Sequence, residues 1–269
     1  MDQKYQFQDG EVYCHHTLTE HPNPDDFPIH AHETAELYYF IAGSGRFLVE
    51  GTEYHLTPGD LLVMRPAEVH RLFISREEPY ERIAIHFPVA LFDGIDPNHL
   101  LMRALYDRPF GNGNLYKTDE DPVLQSAFRE FTPVKGLERF QIFSILLQVL
   151  TELAVIREQE EGPTSRSEDL GSVLVAYVNA HLFEDISLES LSHEFGVSVS
   201  QLNRIFRKAS GTSVWKYISI KRLLAAHARI IRGDSASEAA YACGFGDYSS
   251  FFRIYKKHFG RAPSSDKKR

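Results

Sequence analysis

The chain has 269 residues, of which 43% are hydrophobic and 25% charged, and its formal net charge is −8. That balance is typical of a globular protein long enough to bury a core unaided. Only two cysteines occur, Cys14 and Cys243, which excludes a disulfide scaffold and a cysteine-rich zinc motif and suits a reducing cytosol. We expect neither a signal peptide nor a membrane span, because residues 1–7 are polar and no uninterrupted apolar run reaches about 18 residues.

The charge is unevenly distributed along the chain. Residues 164–269 contain 16 Lys and Arg against 10 Asp and Glu, a net charge of +6, whereas residues 1–163 carry −14. This asymmetry favours a C-terminal part that faces a polyanion, although chance drift of surface charge would produce the same difference.

Residues 1–96 are predicted to form a strand-rich domain. Short runs rich in Val, Ile, Leu, Tyr and Phe alternate with turn signals such as Gly43-Ser44-Gly45 and Pro58-Gly59-Asp60. Such regularly spaced strands indicate a β-sandwich or barrel. The runs are 36–41, 46–49, 60–63 and 82–87.

The pattern becomes helical from about residue 98, most clearly over 137–157, where two apolar stripes run along one helix. Because one barrel covers only one stripe, the second predicts a dimer interface. Residues 158–168, broken by Gly162-Pro163, indicate a linker. We therefore expect an α+β protein with a barrel at 1–96, a helical dimerisation segment and linker at 97–163, and an all-α domain at 164–269. The stripes are Phe140, Phe143, Leu147, Leu150 and Ala154, and Ile142, Ile145, Val149, Leu153 and Ile156.

The C-terminal part contains an internal repeat. Ser187 to Gly196 parallels Ser235 to Gly244, and Leu202 to Gly211 parallels Phe251 to Gly260. Each copy predicts a short helix, a glycine turn and a second helix. Ser198 with Gln201 forms a capping box for the first of these second helices, and Asp247 is the expected N-cap of the other.

Each second helix should have an apolar inner stripe and a polar outer stripe, offset by two residues or about 200°. The expected inner stripes are Leu202, Ile205, Phe206 and Ala209, and Phe251, Ile254, Tyr255 and His258. The expected outer stripes are Ser200, Asn203, Arg204 and Arg207, and Ser249, Phe252, Arg253 and Lys256.

This doubled arrangement is the helix-turn-helix plan for binding DNA. Arginine and asparagine can read base edges, while lysine and serine suit phosphates. The alternative is an ordinary basic helical bundle, which two matched outer stripes disfavour. A helix over 213–231 should separate the copies by about 28 Å, close to the roughly 34 Å between successive major grooves, with Trp215 in the core.

Residues 170–263 resemble the duplicated helix-turn-helix domain of the AraC family of bacterial transcriptional regulators. The most specific matching stretch is Gly244-Phe245-x-Asp247-x-Ser249-x-Phe251-x3-Tyr255-Lys256-Lys257-x2-Gly260-x2-Pro263. Further matches are Leu202-x-Arg204-x-Phe206-Arg207-Lys208-x2-Gly211, Lys221-Arg222-Leu223-x2-Ala226 and Ser237-Glu238-x-Ala240. The resemblance implies DNA contacts by Ser200, Asn203, Arg204, Ser249 and Arg253, to which the outer stripes add Arg207 and Lys256.

Two positions depart from this family's pattern. Phe252 replaces a small polar residue, so the second copy should read fewer bases. Asp266 replaces an aromatic residue that usually closes the domain, so the C-terminal tail should be loosely held.

The first domain contains a possible metal or ligand site. His30, His32 and Glu36 have equal parity and would share one face of a strand, and His70 follows the Pro58-Gly59-Asp60 turn at the end of a later strand. These ligands suit Zn, Fe, Mn or Ni. His15, His16, His21, His55 and His99 are expected in loops or on the surface.

The motif His30-x-His32-x3-Glu36-x6-Gly43 resembles the first motif of cupin barrels. The second motif is looser, because Arg65 and Ala67 replace the expected proline and glycine. Many AraC-type regulators carry a cupin-like sensor, so the resemblance implies effector binding, and the same side chains could bind a polar effector without metal. The candidate effector residues are His30, His32, Glu36, Tyr38 and His70; the candidate metal ligands are His30, His32, Glu36 and His70.

The leading hypothesis is a cytoplasmic, homodimeric, non-enzymatic transcriptional regulator that binds operator DNA and a small metabolite such as a sugar, and possible contact with RNA polymerase follows from it. A metal-dependent cupin isomerase or dioxygenase with an accessory DNA-binding domain is the alternative. A nonspecific chromosome-coating protein is disfavoured because residues 1–163 are acidic.

Overall fold

The computed structural model describes residues 2–131, 137–159 and 169–266, with side chains from residue 5 onward. Contacts divide the chain into two units, Met1–Pro28 with Thr34–Arg166 and Ile29–Glu33 with Ser167–Arg269. The predicted boundary at 163/164 and most of the predicted linker lie outside the described residues, so those domain limits stay predictions.

The first unit is built on two antiparallel sheets, as the turn signals predict. A six-stranded sheet has the order β1-β2-β8-β3-β6-β9, and a three-stranded sheet has the order β5-β4-β7. The strands are β1 (Asp2–Gln8), β2 (Tyr13–Thr19), β3 (Ala35–Ala42), β4 (Gly45–Val49), β5 (Thr52–Leu56), β6 (Asp60–Met64), β7 (His70–Ile74), β8 (Tyr80–Phe87) and β9 (Leu115–Lys117).

Alternation along the strands separates two apolar clusters. On β3, Tyr38 and Phe40 point to an interior shared with Phe47 and Leu72 of the smaller sheet. Leu37, on the opposite face, belongs to a second cluster formed with the helices of this unit. The fold is therefore the expected α+β arrangement, with one apolar cluster between the sheets and helices behind the larger sheet.

Those helices are α1 (Arg103–Tyr106), α2 (Pro122–Glu130) and α3 (Arg139–Gln159). One of the two predicted α3 stripes is buried except for Ile156, which is partly buried, and Leu150, predicted on the other stripe, is buried with it. Phe140 is 72% exposed. By length and a mean hydropathy of 1.6, α3 could also cross a membrane, contrary to expectation, yet one face of it lies in the core behind the larger sheet. The buried residues are Ile142, Ile145, Leu146, Val149, Leu150 and Leu153.

A buried ion pair lies behind the larger sheet. The Arg108 Nη1 and Nη2 atoms donate to the two Glu68 carboxylate oxygens at 2.7 and 2.8 Å, and both side chains are fully buried. Arg108 also donates to the Val63 carbonyl at 2.9 Å, and the Asn114 amide donates to Glu68 at 3.1 Å. The turn that presents Glu68 contains Ala67 at φ 62°, a conformation that favours glycine. The departure from the cupin motif at this position therefore places an alanine in a strained backbone.

The second unit is helical, with α4 (Leu170–Ala180), α5 (Leu188–Glu194), α6 (Val199–Ser210), α7 (Val214–Ile231), α8 (Ala236–Ala242) and α9 (Tyr248–Phe259). The predicted caps are confirmed. Ser198 and Gln201 form a capping box on α6, and the Asp247 carboxylate accepts the Ser250 N–H on α9 at 2.7 Å. Gly211 and Gly260 end these helices at φ 76° and 71°, so the two copies stop in the same way.

Arg222 on α7 ties the two halves of this unit together. Its guanidinium donates to the carbonyls of Leu182 at 2.7 Å and Glu184 at 2.6 Å, and also to the Gly244 carbonyl in the turn between α8 and α9. Three backbone acceptors fix this arginine, so it aligns the second helix-turn-helix with the segment that precedes the first.

Three details of the second unit differ from the sequence expectations. Trp215 is 47% exposed and does not belong to the core. His258 is exposed although its spacing placed it on the inner stripe. The tail is held at Asp266, whose carboxylate accepts the Tyr255 hydroxyl and the Arg261 Nε–H, each at 2.6 Å, so polar bonds replace the missing aromatic closure.

Candidate functional site

The first candidate surface is the outer face of α6. Its inner face is closed because Leu202 and Phe206 are fully buried. Ser200, Arg204 and Arg207 are exposed. Together with Asn203 and Lys208 they line a shallow concavity on the protein surface. The face therefore presents cations and amide or hydroxyl groups to solvent, as the predicted outer stripe requires.

The outer face of α9 repeats this arrangement with fewer polar groups. Phe251 and Tyr255 are buried, whereas Ser249, Arg253 and Lys256 are exposed. Arg253 donates to the Ser250 hydroxyl at 3.1 Å, a bond that holds its side chain beside the start of the helix. The Ser250 N–H keeps the pKa of the Asp247 cap below its usual value, so the cap stays ionised. Both second helices thus begin with a cap and present an arginine on the outer stripe.

The second candidate site lies inside the first unit. Glu36, on β3, is 5% exposed and its carboxylate lies 3.4 Å from His70 Nε2 and 3.8 Å from His86 Nε2. His70 Nδ1 donates to the Glu68 carbonyl at 2.8 Å, so Nε2 is the ring atom on the Glu36 side. This fixed orientation is typical of metal-ligating histidines and suits a polar ligand equally. Tyr38 lies nearby, and its hydroxyl is hydrogen-bonded to that of Tyr80.

His30 and His32 do not lie on the strand with Glu36. They precede β3, which pairs with β8 only from Ala35 onward, and they belong to the second contact unit, with ring centroids 6.0 Å apart. The prediction that the three residues share one strand face is therefore wrong, because the chain bends at residues 33 and 34 before the strand begins.

Three residues on the interior face of β2 and β8, His15, Arg82 and His86, were missed by the sequence reasoning. His15 is 9% exposed and His16 2%, so the expectation that both lie on the surface is wrong. His15 stacks near His86, and the Arg82 guanidinium donates to His15 Nε2 at 3.3 Å. Burial, together with Arg82 and His86, lowers the pKa of His15 to about 4, so its ring is neutral near neutral pH. The sequence did contain a signal for them. Tyr80, Arg82 and His86 are separated by even numbers of residues on β8, so their side chains project from the same face of the strand.

Comparison with known protein families decides the class. Residues 16–168 match the model of the AraC-like ligand binding domain, and residues 191–269 match a helix-turn-helix domain. The chain belongs to the AraC family of transcriptional regulators. This AraC-family regulator thus combines a ligand-binding domain with a helix-turn-helix DNA-binding domain, the two parts indicated by the motifs.

Relatives of this AraC-family regulator span most of its length. The HTH-type transcriptional activator RhaS of Salmonella arizonae is 24% identical over 261 residues, covering 88% of this chain and 86% of the relative. Among solved structures, ToxT from Vibrio cholerae is 12% identical, with a TM-score of 0.41 over 95% of this chain and 97% of that one. The DNA-binding domain of AdpA, solved with a target DNA, is 25% identical, with a TM-score of 0.34 over 36% of this chain and 89% of that one.

Proposed function

We propose that this regulator reads its operator with the outer stripes of α6 and α9. The observation that carries this proposal is the duplicated exposed stripe on two capped helices, each closed on its inner side by buried aromatic residues. Helix α7 has 18 residues and spans about 27 Å, near the roughly 34 Å between successive major grooves. The contacting residues are Ser200, Asn203, Arg204 and Arg207 from the first copy and Ser249, Arg253 and Lys256 from the second.

Arg204→Ala tests this directly on a duplex selected from random sequence. If Arg204 reads a base, specific affinity should fall by about 1–3 kcal/mol and preference should relax at one position. Arg232→Ala is the matched control, since it removes an exposed guanidinium outside both stripes. Unchanged affinity and unchanged sequence preference for Arg204→Ala would remove this residue from the interface.

Arg253→Ala tests the second copy in the same assay. Its loss should add to that of Arg204→Ala, because each residue acts in its own groove. Footprints should then show two protected grooves per protomer. A single protected groove would mean that only one copy docks, and Phe252 in place of a polar residue makes α9 the weaker reader.

In this proposal the first unit binds the effector through Glu36, Tyr38 and His70, whereas the predicted contacts of His30 and His32, which belong to the second contact unit, stay predictions. The buried Glu36 carboxylate and the oriented His70 ring also have the chemistry of two ligands of a divalent metal, and the roles of His30 and His32 as further ligands stay predictions. Elemental analysis of protein purified without chelator distinguishes the two readings. About one metal per chain, lost in His70→Ala and kept in the exposed-histidine control His55→Ala, would support metal; metal-free protein that still binds effector would support direct recognition.

The exposed apolar stripe of α3 is proposed to form a homodimer. Phe140 is 72% and Val155 40% exposed, with Phe143 and Leu147 partly buried between them. A second copy of the same stripe would cover this surface. Phe140→Ser with Leu147→Glu should give folded monomers in sedimentation, whereas Leu150→Glu would disturb the core and is unsuitable. Wild-type protein that sediments as a monomer at micromolar concentration would contradict the interface.

The remaining properties proposed for this protein are inferred from its family. RhaS is described as a transcriptional activator, and by analogy we expect a cytoplasmic, non-enzymatic protein that contacts RNA polymerase. The alternative, a metal-dependent cupin enzyme, rests on the Glu36 and His70 pair. Transcription from the selected operator in a purified system, with and without effector, tests the first; turnover of candidate substrates with added metal would support the second.

A further inference from the structure

The inner face of strands β2 and β8 carries a group of polar side chains that the proposed effector site does not include. In the register of this pair, Thr17 lies opposite Arg82, His15 opposite Ala84 and Thr19 opposite Tyr80. Opposite residues of an antiparallel pair project to the same side. Tyr80 and Ala84 belong to the apolar cluster between the two sheets, so this whole row faces the interior.

These side chains leave several buried polar atoms without partners. Among the residues that the structure describes, His15 Nδ1, Thr17 Oγ1, Thr19 Oγ1 and Arg82 Nη1 are buried and make no hydrogen bond. The other such atoms are scattered over the fold, whereas these four share one face of one strand pair. Buried polar atoms are ordinarily satisfied, so an unsatisfied row marks a place where a further molecule can supply the missing bonds.

The row is cationic and rich in donors. Arg82 makes no ion pair with any carboxylate in the described part of the chain. Its Nη2 donates to neutral His15, its guanidinium is also hydrogen-bonded to the Tyr80 hydroxyl, and Nη1 remains without a bond. Because His15 Nε2 accepts that bond, Nδ1 carries the ring proton and is a donor. Arg82 Nη1, His15 Nδ1 and two hydroxyls are therefore available together.

The surrounding charges limit which anion fits. Glu36 faces the same interior, but its carboxylate lies beside His70 and His86. Burial alone lowers the pKa of Arg82, yet the Tyr80 and Tyr38 hydroxyls and Glu36 outweigh it and raise the pKa, so the guanidinium is charged. One cation balances one negative charge, and a guanidinium matches a planar carboxylate with two parallel hydrogen bonds.

We propose that the effector is a small carboxylic acid whose carboxylate binds Arg82, His15 and Thr17 on the inner face of β2 and β8. This rests on the proposed role of the first unit as the effector-binding unit. The remainder of the molecule packs against the aromatic side chains beside Arg82, of which Phe27 and Tyr80 meet edge to face at 5.5 Å. The carboxylate end of the effector thus binds away from the Glu36 and His70 pair.

Thermal unfolding of the full chain with fragment-sized probes tests this proposal at constant ionic strength. Propionate and benzoate should raise the unfolding temperature, whereas propionamide and benzamide, which have the same shape without the charge, should not. Arg82→Gln should abolish the acid-specific shift. Arg46→Gln, which removes an exposed guanidinium of the same unit, should keep it. Arg82→Lys retains the positive charge but lacks the two parallel N–H donors of the guanidinium, and it should weaken benzoate binding roughly tenfold.

Several results would overturn the proposal. Equal shifts by acids and amides, an acid shift that survives in Arg82→Gln, or no acid shift in wild type would each do so. If Arg82→Gln fails to fold, the acid-against-amide comparison in wild type remains decisive. A larger shift with inorganic phosphate would also overturn it. Stabilisation by neutral sugars alone would refute the carboxylate while leaving effector binding by the first unit intact, and operator binding is measured separately.

Discussion

Two arginines of the first unit have opposite surroundings. Arg108 is fully buried and paired with both oxygens of Glu68, and backbone carbonyls accept its remaining protons. Arg82 lies among aromatic rings, donates to a neutral histidine and leaves Nη1 without a bond among the described residues. A buried charge whose bonds are all satisfied within the chain stabilises the fold, whereas one with a donor to spare is available to a ligand.

The largest expected effect breaks the satisfied pair. Glu68→Ala leaves the Arg108 guanidinium buried without its carboxylate and should lower the free energy of unfolding of the first unit by about 3–5 kcal/mol. Urea unfolding followed by far-ultraviolet circular dichroism measures this loss of stability. Glu53→Ala, which removes an exposed ion pair with Arg46, is the control and should cost less than about 1 kcal/mol. A similar small loss for Glu68→Ala would mean that the network contributes little.

The second largest expected effect is a dependence of stability on pH, caused by His15 beside Arg82. The folded pKa of His15 is about 4 because burial, Arg82 and His86 disfavour the charged ring, whereas the unfolded value is about 6.5. The unfolded chain therefore binds the extra proton first, and stability is lost as pH falls from about 6.5 towards 4, by about 3 kcal/mol.

His15→Gln should flatten this part of the stability profile, and His55→Gln, at an exposed histidine, should leave it unchanged. The charges of His16, His86 and Glu36 also affect the pKa of His15, so the informative quantity is the difference between wild type and variant. Parallel profiles for wild type and His15→Gln would show that His15 is not held neutral.

Ala67→Gly addresses the turn that supports the satisfied pair. Glycine adopts the φ of 62° without the Cβ clash that alanine suffers there, so the variant should be more stable by about 1 kcal/mol. The same urea titration measures it. A loss of stability would indicate that the greater freedom of glycine in the unfolded chain outweighs the relieved strain.

The smallest expected effect is at the unsatisfied arginine. Arg82→Gln removes the hydrogen bond to His15 but breaks no ion pair in the described chain, so the free energy of unfolding should fall by no more than about 1 kcal/mol. A loss comparable to that of Glu68→Ala would show that Arg82, like Arg108, stabilises the fold.

The sequence by itself determined the second unit in most respects. Capping boxes, glycine stops and apolar stripes act between residues three or four apart, so Ser198, Gln201, Asp247 and the outer arginines could be placed without knowledge of the fold. His258 and Trp215 were misplaced because spacing gives the side of a helix but not where neighbouring helices end.

Only the tertiary structure decided the interior of the first unit. Glu68 and Arg108 are 40 residues apart, and His15 and Arg82 are 67 apart. No local sequence pattern therefore predicts that the members of each pair are in contact. The sequence likewise did not determine which stripe of α3 is buried. Both stripes are apolar, and only the packing of the helix against the larger sheet selects one of them. Strand pairing joins distant segments in a register that local propensity does not encode, and the environment of a buried charge depends on that register.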